Sequence, residues 1–184
     1  MLRKISACLL ALVLWTAASA AEPAVFAPAS DFVKAFNASA RTMKTGHRLE
    51  PGDWEGEPVD GGLTRCDFPL SPELTLSLYL PFDPAGEAPS GLCRAVLVFN
   101  SDGTAAAEEA LLAAVQELIL AAGGARTPGE AEDLILDLNF LENPEDGMTD
   151  SRTVNGLDYT YLYSSYDEGF LFTVAPAQGL LPGD

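Results

Sequence analysis

The chain has 184 residues, 48% of them hydrophobic, with 27 acidic against 10 basic residues and a formal charge of −17. That apolar fraction argues for a folded globule and against a disordered chain. So acidic a surface cannot displace the counterions of nucleic acid or of anionic headgroups, which excludes nucleic-acid binding.

The first twenty residues read as a cleavable signal peptide. Arg3 and Lys4 form a basic start, an apolar run spans Ile5 to Trp15, and Ala18-Ser19-Ala20 supplies the small residues a peptidase needs. The run is about half of the roughly 20 residues that cross a bilayer, and no later stretch approaches that length. The mature protein is therefore expected to begin near Ala21 and to have no membrane span. Cys8 leaves with the signal, and so do two cations, so eight basic residues face 27 acidic ones, a net −19. The short basic start and short apolar core suit a bacterial export signal, with a periplasmic or extracellular destination.

The expected organisation is a lead-in over 21–29, one domain over 30–176 and a loose tail over 177–184. Ser30 is a plausible N-cap for a helix from about Asp31 to Lys44, where Phe32, Phe36, Ala40 and Met43 recur at helical spacing. A polar loop follows from Thr45 to Gly62, with Trp54 as its largest apolar group. A short strand is expected from Leu63 to Phe68. Leu74, Leu76, Leu78 and Leu80 alternate with Thr75, Ser77 and Tyr79, the pattern of a half-buried strand. The run Leu92 to Phe99, apolar on both faces, fits a central strand.

Thr104 can cap a helix whose stripe is Leu111, Val115, Leu118 and Ala122, ended by Gly123-Gly124. Thr127-Pro128-Gly129-Glu130 combines a capping box with proline at the first helical position, predicting a third helix. Asn139 to Asp150 reads as an acidic loop. Leu157 to Ser164 and Phe170 to Val174 form a terminal hairpin. The order α-β-β-β-α-α-β-β predicts a single α+β domain, a mainly antiparallel sheet of about four to five strands with helices on one face.

Cys66 and Cys93 remain after cleavage, and an even pair in an exported protein reads first as a disulfide. A simple meander would place Cys66 near one end of the sheet and Cys93 near the opposite end, and two strand spacings, about 9.5 Å, apart, whereas a disulfide needs Cβ atoms about 4 Å apart. The cysteine count outweighs the meander, which leaves the Leu63 to Phe68 strand as the weaker expectation.

No group of residues carries a catalytic motif. His47, the single histidine, lies in the polar loop and reads as a solvated residue, with no nucleophile elbow beside it. Histidine-built zinc sites are excluded. Glu142, Asn143, Glu145, Asp146 and Asp150 could hold calcium, but their spacing misses the EF-hand pattern. No nucleotide-binding fingerprint is present, and no cofactor is expected. Tyr159, Tyr161 and Tyr163 share one side of a strand. They form either an aromatic platform for a partner or the core face of the hairpin, and the polar alternate residues favour the core. Trp54 is a second candidate contact.

The expected function is that of a small, acidic, exported interaction module that binds another macromolecule, with a basic-surfaced protein as the expected partner. A carboxylate-based hydrolase and a calcium-stabilised surface protein are the alternatives.

Overall fold

The computed structural model describes residues 25–50, 56–82, 91–100, 104–138, 149–164 and 169–177. Three helices and seven strands follow in the order α1 (Ala29–Met43), β1 (Glu57–Val59), β2 (Leu63–Ser71), β3 (Leu74–Pro81), β4 (Arg94–Asn100), α2 (Ala105–Ala122), α3 (Pro128–Asp137), β5 (Thr149–Val154), β6 (Leu157–Ser164) and β7 (Gly169–Pro176). All strands join one antiparallel sheet in the spatial order β1-β2-β3-β4-β7-β6-β5. The α+β class stands. The expected four to five strands are corrected to seven, because β1 and β5 close the two edges.

Both missed strands are short on the signal that betrays a buried strand. β1 is three residues with little burial, and β5 (Thr-Asp-Ser-Arg-Thr-Val) is exposed along most of its length. An edge strand with one polar face has little apolar alternation to show. The turn into β6 was nevertheless written in the sequence. Asn155 and Gly156 have φ of 53° and 77°, the left-handed pair that a two-residue hairpin turn demands and that Asn-Gly supplies.

The inner face of the sheet carries the core. Alternate residues of adjacent strands stack in rows, such as Phe68, Leu76, Leu97, Phe172 and Tyr161, and the three helices bury their apolar sides against them. β4 sits at the middle of the sheet, as its apolar composition predicts. On the outer face Leu162 and Leu171 pair across β6 and β7 and remain partly exposed.

α2 lies between α1 and α3, which explains why it is apolar around most of its girth. Thr104 caps it by accepting from the Ala107 N–H at 3.3 Å, and Gly123 ends it in the left-handed region. α3 starts as expected, with Thr127 accepting from the Glu130 N–H, while the Glu130 carboxylate takes the N–H of Arg126 at 2.7 Å. The start of α1 departs from expectation: Pro28 occupies the N-cap and Ser30 already lies in the first turn.

The disulfide expectation is corrected as well. No disulfide joins Cys66 and Cys93, and both thiols are buried. Cys66 pairs across to Leu78 on β3, while Cys93 donates its backbone N–H to Tyr79 on the far side of that strand. β3 therefore stands between them, and two strand spacings of about 4.8 Å exceed the reach of a disulfide. The meander prevails, including the strand at Leu63.

Candidate functional site

The site is built where α1 ends. Lys44 closes the helix in the left-handed region (φ 60°), its N–H returned to the Ala40 carbonyl, and Gly46 is left-handed again at φ 83°. Two such residues in three positions turn the chain back along its own helix. Asn37 then clamps it from α1, with Nδ2 donating to the Leu49 carbonyl at 2.9 Å and Oδ1 accepting the Leu49 N–H at 2.8 Å. Leu49 is fully buried and plugs the loop into the core.

A second anchor comes from α2. Glu117 is 0% exposed within a helix that is otherwise apolar there. A buried carboxylate costs several kcal/mol unless hydrogen-bonded, and the loop supplies the partners. Thr45 Oγ1 donates to Oε1 at 2.5 Å, and His47 Nδ1 lies 2.8 Å from Oε2. Thr45 Oγ1 also accepts the His47 N–H at 3.3 Å, so the three residues form one small network. With the Glu117 oxygen as acceptor, Nδ1 is the donor. Nε2 is then the ring nitrogen left for anything outside the network.

His47 is therefore no solvated loop residue. Its side chain is 9% exposed and holds α2 to the loop. The sequence did contain a signal: a lone carboxylate inside Leu111 to Ala122 needs a buried partner, and the chain has a single histidine.

Around His47 opens a cavity of about 640 Å³, lined by Lys34, Arg41, Lys44 and Arg48 together with Asn37, Ala40, Gly46 and His47. Four of the eight cations after residue 20 meet here, and no carboxylate is among the described lining residues. Two of the four are partly neutralised: Lys34 pairs with Asp31 at 3.0 Å and Arg48 Nε with Glu50 at 2.7 Å. Arg41 spends Nε on the Asn37 carbonyl at 3.2 Å. Both guanidinium groups are thus held by one edge. Among the described residues, their terminal nitrogens and the Lys44 ammonium have no other ion-pair partner.

The residues singled out from sequence lie elsewhere. Tyr159 and Tyr161 are 0% and 1% exposed, packed under the helices, and offer no surface to a partner. Burial pushes the Tyr159 phenol well above the usual tyrosine range. Tyr163 is half-buried, its ring 4.9 Å from that of Phe170. Trp54 lies outside the described residues, as do Glu142, Asn143, Glu145 and Asp146 of the calcium expectation. Asp150 is described, and it pairs with Arg152 on β5 at 2.8 Å. Among the described residues, no group of three or more His, Cys, Asp or Glu side chains could hold a metal ion, and no helix is long and apolar enough to cross a membrane.

Fold and site together define a two-layer α+β protein with a cationic pocket set in an acidic chain. The chain matches no family model, no curated protein and no solved structure.

Proposed function

We propose that this is a non-catalytic binding module, working outside the cytoplasm, that recognises another macromolecule by an anionic group seated in the pocket around His47. One observation carries the reading: half of the cations after residue 20 converge on a single cavity in a protein that is otherwise acidic. Random placement of scarce cations would scatter them as counter-ions to the carboxylates. Their loop is fixed to two helices, so little ordering entropy is lost on binding. The acidic remainder favours a protein partner whose surface is basic around the anionic group.

The test is a titration of isotope-labelled mature protein with acetate, citrate, phosphate and sulfate, followed by amide shifts. Shifts concentrated between Lys34 and Arg48 support the reading. A spectrum that stays unchanged there with every anion ends it.

The Glu117–His47 contact favours a second reading, hydrolysis with His47 as general base oriented by the carboxylate. Turnover of p-nitrophenyl acetate or phosphate that disappears in His47→Gln would put that reading in place of the first. Equal rates in both proteins, or none, would remove it.

A further inference from the structure

We infer that the anionic group is a tetrahedral oxyanion, a phosphate or sulfate, and not a carboxylate; this rests on the pocket reading above. The donors come from two separate directions. Arg41 and Lys34 rise from α1, while Lys44, His47 and Arg48 come from the loop that folds back over it. A planar carboxylate offers two oxygens in one plane and is satisfied by a single guanidinium fork. A tetrahedral oxyanion presents three or four oxygens and carries up to two charges, so it meets forks from both directions at once. Each arginine has its Nε engaged, with the Asn37 carbonyl on α1 and with Glu50 after the loop, which leaves both terminal nitrogens without an ion-pair partner among the described residues. His47, its ring held through Nδ1 by Glu117, adds a directional contact when it is the imidazolium, in which Nε2 is a donor as well. The cavity, at about 640 Å³, is far larger than a lone oxyanion. An ester of the oxyanion therefore fits as well as the free ion.

Calorimetry of the mature protein at one low, fixed ionic strength tests this with inorganic phosphate, inorganic sulfate, glucose 6-phosphate, acetate and citrate. Phosphate or sulfate is expected to bind at least tenfold more tightly than acetate and than citrate. An Arg41→Gln/Arg48→Gln protein should lose at least tenfold of that affinity, and His47→Gln a smaller part. Both arginines are exposed, so the fold survives the change, and Arg152→Gln on β5 serves as the control that keeps full affinity. A tighter glucose 6-phosphate isotherm would assign an ester, and equal isotherms the free ion. Citrate or acetate binding as tightly as the tetrahedral ions would overturn this inference and leave the pocket reading standing. Phosphate affinity untouched by the double arginine change would overturn it too. If no anion binds at all, the pocket reading falls with it.

Discussion

Glu117 shows how a single residue can tie a loop to a helix. Removing its carboxylate leaves the Thr45 hydroxyl and the His47 ring without their buried acceptor. Truncation of a buried charged partner costs about 3 kcal/mol, so Glu117→Ala should lower the free energy of unfolding by about that much in a urea titration. Glu117→Gln keeps one acceptor oxygen and should lose less than half as much. The opposite case is Tyr159, whose hydroxyl is buried and without a hydrogen-bond partner among the described residues. Deleting an unsatisfied hydroxyl removes a desolvation cost. Tyr159→Phe should therefore leave stability unchanged or raise it by up to about 1 kcal/mol, while Tyr159→Ala, which empties the ring's site, should cost about 3 to 5 kcal/mol. The same ring explains Gly124. A Cβ there would stand 2.4 Å from the Tyr159 hydroxyl oxygen and 2.5 Å from Cζ. Gly124→Ala should destabilise the wild type, and Tyr159→Phe should relieve only part of that, because the ring carbon stays in place.

At the scale of elements, the contrast between what was legible and what was not follows from burial. Strands and helices that face the core announce themselves by period. Leu74 to Leu80 alternates because one face is inside, and the Thr104 and Thr127 caps stand where hydrogen-bonding side chains are needed. β5 has almost no inside face, so only its Asn155-Gly156 turn could have revealed it. The site was harder still, because it depends on a pairing between residues 70 positions apart, Glu117 and His47. Tyr159 and Tyr161 were legible as an aromatic row, and burial decided the choice in favour of the core. The two cysteines misled because an expected export argues for pairing while strand order forbids it. That yields a chemical prediction. Burial, helped by the neighbouring Asp67, pushes the Cys66 thiol up; burial also raises Cys93, with Arg94 partly offsetting it. A thiol with a raised folded pKa keeps its stabilising contribution below the unfolded value of about 8.5 and loses it as pH rises towards the folded value. Stability should therefore decline from about pH 8.5 upward. A thiol-specific reagent at pH 8 should label neither cysteine quickly in the folded protein and both in non-reducing denaturant. If denaturant exposes no thiol, a disulfide exists and the meander is wrong.

For the whole molecule, two electrostatic effects compete, and salt separates them. A net charge of −17 on the full chain, or −19 over residues 21–184, repels itself and works against compaction. Against this stand exposed ion pairs such as Lys34–Asp31, Arg48–Glu50, Arg65–Glu57 and Arg152–Asp150. Exposed pairs contribute between about 0 and 1 kcal/mol each and weaken with salt. Self-repulsion acts over many charges and over longer distances, so it gains most from screening when the Debye length shrinks from about 30 Å at 0.01 M to about 10 Å at 0.1 M. Repulsion should win. The Tm is expected to rise by several degrees between 10 and 300 mM sodium chloride and then level off. The pocket sharpens this expectation, since its crowded cations are a local repulsion of the opposite sign that a bound anion relieves. At matched ionic strength, sodium sulfate should raise the Tm beyond sodium chloride, and part of that excess should vanish in Arg41→Gln/Arg48→Gln. General exclusion of sulfate from protein surfaces also stabilises folds, but it would act equally on both proteins. The difference between them therefore isolates the pocket. A Tm that falls as chloride is added would mean that the surface pairs outweigh the global repulsion.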